Sequence, residues 1–334
     1  MQPFVSIIVP CYNEEKTIRH LLSAVYQQTY PRAQMELVIA DGMSTDHTRD
    51  LIHAFQQEFP DLPVIVINNE VRNIPSALNQ AIRASRGGII VRLDAHSMPI
   101  PQYVERCVAA HQGNKGDNVG GVWEIRPGAE TWIAESISYA AAHPLGVGDA
   151  MYRLKASEGA VDTVPFGSFK RSLIEKIGFF DETLLANEDY EFNTRVRESK
   201  GTVWLDPSIR SVYFSRSSLP SLAAQYWRYG FWKWRMLKSY PQTVRWRQAL
   251  PPLFVLSLIA LSVLSLVRAP FFYLLAAQLI IYFSVLCLAG MKLAIEKKRL
   301  PLIVGLPLAI ATMHVSWGAG FLWSGTSSLF VKHG

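Results

Sequence analysis

The stretch Gly88-Ile89-Ile90-Val91-Arg92-Leu93-Asp94-Ala95-His96 decides how this chain folds. Its apolar first part has the length and composition of a buried β-strand. Because alternate residues of a strand point to the same side, Asp94 and His96 are predicted to project together from the carboxyl end of that strand. Open α/β sheets bind ligands at that end. A carboxylate and an imidazole at this spacing suit a divalent cation facing a diphosphate, whereas the alternative is an aspartate that caps a turn.

Strands and helices alternate along the first hundred residues. The predicted strands are 4–9, 36–40, 64–67 and 88–93, and the predicted helices are 17–28, about 46–59 and 75–84. This alternation predicts an α/β fold with a parallel sheet. A glycine-rich dinucleotide fingerprint and a phosphate-binding Gly-Lys-Ser/Thr loop are both missing from the sequence. A nucleotide must therefore be held by side chains at the strand ends, namely 10–14, Asp41 and Asp94.

The pattern becomes less regular after Asp94. We predict a helix over 99–112, a strand over 119–123, an amphipathic helix over 187–196, and a short final strand over 203–205 that ends before Pro207. The region 124–163 contains no motif that we can interpret, so the residues that select a substrate there are not predicted.

The last third of the chain is apolar and basic. Segments 249–267, 269–291 and 300–331 contain no Asp, Glu, Lys or Arg, and each approaches or exceeds the ~20 residues that cross a bilayer. We therefore predict three transmembrane helices, with buried helices of a soluble protein as the alternative. The predicted division is a catalytic domain over 1–220, an interfacial amphipathic segment over 221–248 that is rich in basic and aromatic residues, and a membrane region over 249–331.

Basic residues flank the predicted spans on one side. They are Arg228, Lys233, Arg235, Lys238, Arg245 and Arg247 before the first span, and Lys292, Lys297, Lys298 and Arg299 between the second and third. The positive-inside rule places both groups in the cytoplasm. We expect a multi-pass protein of a bacterial-type cytoplasmic membrane, with its N-terminal domain facing the cytosol. The net charge of +6 is then a membrane-surface property that requires no nucleic acid.

Six short motifs occur in a fixed order along residues 4–215. They are 10–15, 41–46, Arg72-Asn73 with Asn79, Asp94-Ala95-His96, 178–182 and Glu188-Asp189. In this order the chain resembles the family 2 glycosyltransferases. The resemblance implies a single Rossmann-like A-type nucleotide-sugar domain, followed here by an interfacial helix and three transmembrane helices. His96 replaces the usual aspartate of the metal triplet, and with Pro165-Phe166-Gly167 and the apolar tail this resembles succinoglycan-type exopolysaccharide glucosyltransferases of bacteria.

The resemblance also implies which residues bind the nucleotide. They are Pro10, Tyr12, Glu14, Asp41, Arg72, Asp94 and Arg228. Asp41 is expected to accept a hydrogen bond from the base, and a uracil N–H is a suitable donor, which favours a UDP-sugar. The alternative for Asp41 is a turn aspartate. Arg72 is expected to reach the base or the phosphates, or else to be a solvated loop arginine. For Asp46 we prefer a helix N-cap.

The metal and the base are assigned in the same way. His96 is the expected direct metal ligand, and Asp94 contacts the ribose, the metal or both. Imidazole favours Mn²⁺, with Mg²⁺ as the alternative. Asp189 is the expected base that takes the acceptor's hydroxyl proton in an inverting transfer, and Glu188 is expected beside the acceptor sugar. Alternatively, these two acids only stabilise a helix N-terminus.

The segment Gln225-Tyr226-Trp227-Arg228-Tyr229 resembles the Gln-x-x-Arg-Trp element of membrane-bound family members. The resemblance implies that Gln225 and Trp227 meet the acceptor and that Arg228 meets the diphosphate. Tyr229 replaces the final tryptophan, which weakens the case for processive synthesis. The alternative is an interfacial helix whose aromatic side chains lie at the headgroups.

These observations predict a metal-dependent, inverting transfer of a sugar, from a nucleotide sugar to a hydroxyl of a polyprenyl-linked saccharide, in exopolysaccharide or cell-surface glycan synthesis. Membrane lipids are the other expected partner. The alternatives are a polyprenyl-phosphate sugar synthase, a processive synthase and an inactive membrane scaffold. The leading prediction requires that His96 and Asp189 converge on opposite sides of one sugar.

Overall fold

The computed structural model describes residues 2–154, 157–243 and 245–330. Val331, the last residue of the third predicted span, lies outside this described part. The chain forms two compact units: the first comprises 1–124 and 150–213, and the second comprises 125–149 and 214–334. Segment 125–149 of the second unit therefore lies within the range that the sequence analysis assigns to the N-terminal domain.

The strands of the described chain are β1 (Val5–Cys11), β2 (Met35–Asp41), β3 (Val64–Asn68), β4 (Ile89–Arg92), β5 (Met98–Pro99), β6 (Asn118–Arg126), β7 (Gly159–Ala160), β8 (Ser168–Lys170) and β9 (Val203–Phe214). The helices are α1 (Ile18–Tyr26), α2 (Thr48–Glu58), α3 (Ile74–Ala84), α4 (Tyr103–Gln112), α5 (Trp132–Ala140), α6 (Pro144–Val147), α7 (Arg171–Ile177), α8 (Glu188–Glu198), α9 (Leu219–Ser239), α10 (Leu250–Ser265), α11 (Ala269–Lys297) and α12 (Leu302–Phe330). Single 3₁₀ turns lie at Arg32–Gln34, Met151–Arg153, Pro241–Thr243 and Trp246–Ala249.

The strands form one mixed sheet in the order β3-β2-β1-β4-β8-β6-β9-β5, with β7 paired to β9. The first four strands of this order are parallel, as the alternating pattern predicts. The sheet becomes antiparallel at β8, where Phe169 lies opposite Ile90. Every residue of β2 is buried, which is typical of a parallel strand covered by helices on both faces. The α/β fold class is therefore confirmed, with an antiparallel half that the sequence analysis did not predict.

Two predicted element bounds were wrong in the second half of the first unit. Strand β9 does not end before Pro207 but continues to Phe214, and its residues Ser211 and Val212 pair with β5. Helix α4 begins at Tyr103 rather than at Pro99, because Met98 and Pro99 form that short β5 strand. Proline is normally a reason to end a strand, and here the backbone passes through it toward a buried apolar segment.

The apolar tail contains two helices that are long and apolar enough to cross a membrane within the described residues, where three were predicted. An 18-residue stretch within Ala269–Lys297 has a mean hydropathy of 2.2, and one within Leu302–Ser328 has 1.6. Helix α10 is apolar but has only 16 residues. At 1.5 Å per residue this length gives about 24 Å, short of the ~30 Å hydrocarbon core.

Helices of the second unit approach each other through glycines. A β-carbon at Gly230 of α9 would lie 2.0 Å from the carbonyl oxygen of Trp317 in α12, and one at Gly320 would lie 2.3 Å from that of Trp227. Such backbone-to-backbone contact is typical of packed membrane helices. Helix α5 also packs within this unit, where Glu135 receives two 3.0 Å hydrogen bonds from Arg299.

Candidate active site

The centre of the site is Arg92, a side chain that the sequence analysis did not select. It lies on β4 with 3% of its side chain exposed. Its guanidinium donates to Asp94 at 3.2 Å, to Glu188 at 3.0 Å and to Asp189. Charged side chains are rarely buried unless they are paired, and these three bonds are the pairing. One buried cation thus gathers three carboxylates from two distant segments of the chain.

This cluster brings one predicted donor-side residue, Asp94, close to the predicted base. Asp94 lies two residues beyond the end of β4, whereas Glu188 and Asp189 lie in the first turn of α8. The carboxylates of Asp94 and Asp189 bind the same guanidinium, so they lie within one side chain's reach of each other. The three acids in the first turn of α8 also favour that helix terminus electrostatically. The structural alternative for Glu188-Asp189 and the catalytic prediction are therefore compatible.

Asp189 is partly exposed to solvent and lies in an unusual electrostatic environment. Burial raises the pKa of this carboxyl to about 7; the Arg92 guanidinium opposes that increase, whereas Glu188 and Asp94 add to it. The backbone N–H of Phe166, a residue with φ of 56°, also hydrogen-bonds the carboxylate and favours its charged form. The side chain remains 29% exposed and can meet a substrate. A pKa near 7 is typical of a group that acts as a general base at neutral pH.

The triplet 94–96 is arranged differently from the prediction. Strand β4 ends at Arg92, and the backbone N–H of Ser97 donates to the carbonyl of Asp94 at 2.9 Å, so the triplet forms a turn. The alternation of strand side chains therefore does not apply to it. Asp94 bonds Arg92, whereas His96 Nδ1 lies 3.1 Å from Glu14 Oε1.

Glu14 and His96 form a carboxylate–imidazole pair. Burial raises the pKa of Glu14, but hydrogen bonds from His96 and Thr17 outweigh it, so the pKa of this carboxyl lies below its usual range. An ionised Glu14 stabilises the imidazole tautomer with its proton on Nδ1, which leaves the lone pair on Nε2. Metal-binding histidines typically have this arrangement, in which a carboxylate accepts the other ring N–H.

The residues present fit a metal that arrives with a ligand rather than one that the chain holds alone. No group of three or more His, Cys, Asp or Glu suited to a metal ion occurs among the described residues. His96 and Asp94 offer one nitrogen and one oxygen donor. A divalent cation that needs more ligands would take them from diphosphate oxygens and water, which Mg²⁺ and Mn²⁺ accept readily.

The predicted nucleotide residues differ in their accessibility. Asp41 has no exposed surface, and its carboxylate accepts bonds from Ser44 N at 3.0 Å and from Arg49 Nε at 2.5 Å. The turn alternative describes Asp41 in this structure, and its contact with a base stays a prediction. Tyr12 is 47% exposed at the end of β1, and Arg72 is an exposed loop residue before α3. Pro10 and Glu14 are partly buried.

The residues that the sequence analysis placed at the acceptor lie on α9 in the second unit. Gln225 is 9% exposed, and its Nε2 donates to the Tyr229 hydroxyl at 3.0 Å. Trp227 and Arg228 are exposed. Their roles toward an acceptor and a diphosphate remain predictions.

The hydrogen bonds of Asn79 explain why this residue accompanies the motif at 178–182. Its Oδ1 accepts from Phe180 N at 2.9 Å, and its Nδ2 donates to Phe180 O at 2.9 Å and to Glu182 Oε1 at 2.8 Å. The ring of Phe180 stacks on Phe192 of α8, with centroids 4.4 Å apart. Asn79 therefore holds the loop that leads to the carboxylates of α8.

Comparisons with known proteins agree with these motifs. The sequence model described as "Glycosyl transferase family 2" matches residues 6–178. The chain is 28% identical over 325 residues to the "Dolichyl N-acetyl-alpha-D-glucosaminyl phosphate 3-beta-D-2,3-diacetamido-2,3-dideoxy-beta-D-glucuronosyltransferase" of Methanococcus voltae, covering 95% of this chain and 96% of the relative. It is 26% identical over 318 residues to the "Succinoglycan biosynthesis protein ExoA" of Rhizobium meliloti (strain 1021), covering 94% and 93%.

Among solved structures, the fold is similar to that of the "Mannosyltransferase PcManGT from Pyrobaculum calidifontis in complex with GDP-Man and Mn2+". The TM-score is 0.57 at 20% identity, and the match covers 99% of this chain and 82% of that one. At this level of identity the likeness concerns the fold alone.

Proposed function

The chain belongs to glycosyl transferase family 2, as its motifs predict, and from that premise we propose that it moves a sugar from a nucleotide sugar to a hydroxyl of a lipid-linked saccharide. The observation that carries the proposal is the Arg92 cluster, which joins a strand-end carboxylate to an accessible acid with a pKa near 7. The two relatives that align along nearly the whole chain are named for a dolichyl-phosphate-linked sugar and for succinoglycan biosynthesis, which supports this class of acceptor.

In the proposed reaction, ionised Asp189 takes the proton of the acceptor hydroxyl. The hydroxyl oxygen attacks the anomeric carbon of the donor sugar, and the bond from that carbon to the diphosphate oxygen breaks. The bonding electron pair leaves with the nucleoside diphosphate. Attack opposite the leaving group inverts the anomeric centre, which is why a single base suffices. Glu188, which is 7% exposed and bound to Arg92, is the residue next to this base, and its proposed role is to meet the acceptor sugar.

At the donor end, His96 and Asp94 would hold the divalent metal, with Mn²⁺ favoured over Mg²⁺ because one ligand is an imidazole. When bound, the metal supplies positive charge against the leaving diphosphate. Glu14 orients the His96 ring through its 3.1 Å contact. The half-exposed ring of Tyr12 is available to stack on the base, and a UDP-sugar is the favoured donor.

The second unit is proposed to hold the protein in a cytoplasmic membrane. Helices α11 and α12 are the two long apolar helices, and α10 is proposed as a third, short span. The basic residues before α10 and between α11 and α12 then lie on the cytosolic side, where each exposed one is worth about 1 kcal/mol against an anionic leaflet. Lys233 is buried and is not among the exposed ones. The predicted bounds at 220 and 248 are part of this proposal, as are the roles of Gln225, Trp227 and Arg228.

The test is a donor screen with membranes that contain the protein. Nucleotide release is measured with a panel of UDP- and GDP-sugars, with Mn²⁺ or with EDTA, and with either a polyprenyl-diphosphate saccharide or polyprenyl phosphate as acceptor. We expect release from one UDP-sugar that depends on Mn²⁺ and on the saccharide. No consumption of any donor would refute the proposal, and transfer to polyprenyl phosphate alone would favour the synthase.

Variants separate the base from a general effect of charge. Asp189→Asn should reduce transfer to a hydroxyl by roughly 10²- to 10⁴-fold, because it removes the proton acceptor. Glu175→Gln on α7 removes an exposed carboxylate from the same unit and should leave the rate unchanged. An Asp189→Asn variant as active as Glu175→Gln would show that another group is the base.

A further inference from the structure

We infer that Arg92 is a positioning residue of the transfer reaction, which fixes the base Asp189 relative to the donor-side carboxylate Asp94. This inference rests on the proposed function and deepens it, because it assigns a role to a residue that lies outside the family motifs described above. Arg92 itself is not expected to touch the substrate, since only 3% of its side chain is exposed.

The geometry of the guanidinium supports a positioning role. Its two terminal nitrogens divide the carboxylates, with Nη1 bound to Asp189 and Nη2 bound to Asp94 and Glu188. The planar fork of an arginine fixes the angle between such partners, which a flexible lysine ammonium does not. The buried Nε has no hydrogen-bond partner among the described residues. Within the described part of the chain, the guanidinium of Arg92 thus donates only to the three carboxylates.

The charge balance supports the same role. Three carboxylates face one guanidinium; Arg92 lowers the pKa of Asp189, whereas its neighbours Glu188 and Asp94 raise it. The Arg92 charge keeps Asp189 closer to its ionised, proton-accepting form than burial alone would. The groups that face Asp189 from the elements packed against it are Arg92, Asp94, Glu188, Tyr103 of α4 and the backbone N–H of Phe166.

Arg171 provides a matched contrast in the same unit. Its Nε donates to Gly87 O at 2.9 Å, and its terminal nitrogens donate to Ile82 O at 3.1 Å and to Ser85 O at 2.7 Å. These partners are backbone carbonyls at the end of α3 and the start of β4. Arg171 is therefore an arginine that stabilises the fold, and its replacement should affect stability without affecting the base.

The experiment compares Arg92→Met, Arg92→Lys, Glu188→Gln and Arg171→Met with the wild type. Full-length protein in membranes is assayed for kcat, for the donor KM, and for kcat/KM as a function of pH. We expect Arg92→Met to lower kcat at neutral pH by at least about tenfold and to move the acid limb of the profile to higher pH, because Asp189 loses its cation. Glu188→Gln should move that limb to lower pH, because it removes a neighbouring negative charge.

The lysine variant separates charge from geometry. Arg92→Lys keeps the positive charge but lacks the planar fork that fixes the angles between the three carboxylates. We therefore expect kcat to fall while the acid limb stays near its wild-type position and the donor KM changes by less than about threefold. Arg171→Met should lower the unfolding temperature and leave the acid limb in place. If Arg92→Met does not fold, Arg92→Lys decides the question.

Opposite results would overturn the inference. They are a kcat within about twofold of the wild type in the Arg92 variants that fold, or an acid limb that Arg92→Met leaves unmoved. Either result with an active wild type leaves the proposed function intact. A wild-type protein that consumes no nucleotide sugar overturns the proposed function and this inference with it.

Discussion

Replacing Asn79 with alanine tests how the loop before α8 is held in place. Asn79 is 2% exposed on α3, and its amide makes three hydrogen bonds to the segment at 178–182. Two of them satisfy the backbone N–H and C=O of Phe180, a residue with 4% of its surface exposed. Alanine fills part of the volume but offers no polar atom. The variant therefore leaves two buried backbone groups without partners.

The size of the effect follows from these contacts. An unpaired buried polar group costs about 1–3 kcal/mol, so we expect the free energy of unfolding to fall by about 3 kcal/mol. For a folded unit of this size each kcal/mol corresponds to roughly 2–4 °C, which predicts an unfolding temperature lower by roughly 6–12 °C.

The assay is thermal unfolding of the purified full-length protein in detergent, followed by tryptophan fluorescence. Thr183→Ala is the matched control, because Thr183 is an exposed residue of the same loop whose hydroxyl donates only to Asp181 at 2.7 Å. The control should stay within about 0.5 kcal/mol of the wild type. If Asn79→Ala and Thr183→Ala unfold at the same temperature, the three hydrogen bonds do not hold the loop and the reasoning is wrong.

Three further predictions concern other parts of the chain. Burial lowers the pKa of His111 to about 4. Its contribution to the free energy of unfolding is therefore complete above pH 6.5 and is lost as the pH falls toward 4. In denaturant unfolding, His111→Gln should reduce the change in stability across that pH window by about 3 kcal/mol. Gly230→Val should lower the yield of monodisperse protein in size-exclusion chromatography, because a β-carbon there would lie 2.0 Å from a carbonyl oxygen of α12, whereas Gly159→Ala, with open space around it, should not. Glu14→Gln should weaken Mn²⁺ binding in the presence of UDP by roughly 10- to 100-fold, because the variant no longer holds the His96 ring through a carboxylate. The measurement is an electron paramagnetic resonance titration, and unchanged binding would contradict that role of Glu14.

The parallel half of the fold was predictable because its signals are local. Short runs of β-branched residues predict buried strands, and the polar residues that follow parallel strands lie at one edge of the sheet. Family membership was also predictable, since six motifs in order are specific even when each is weak. The turn at 94–96 was given only as the alternative to two strand-end ligands, because the end of a strand depends on backbone hydrogen bonds that composition does not show.

Arg92 was missed for a different reason. A charged residue within an apolar run reads as an interruption, although a buried strand can carry a charge only when partners compensate it. Its partners Glu188 and Asp189 lie nearly a hundred residues away, so no local pattern reveals them. A charge in a predicted core strand requires a buried partner of opposite charge. That requirement is the signal in the sequence that points to Arg92. The antiparallel strands escaped notice because they are short and pair with distant segments.

The membership of 125–149 in the second unit has a consequence for biosynthesis. Ile137 and Ala140 of α5 are fully buried, and their apolar neighbours include Leu306 and Ile310 of α12. The ribosome makes those neighbours about 170 residues later, so at roughly 5–20 residues per second the early segment waits on the order of 10–30 s for its partners. During that delay the apolar side chains of α5 have left the ribosome without their α12 partners. Chaperones or the lipid surface are then the first surfaces that this helix can contact.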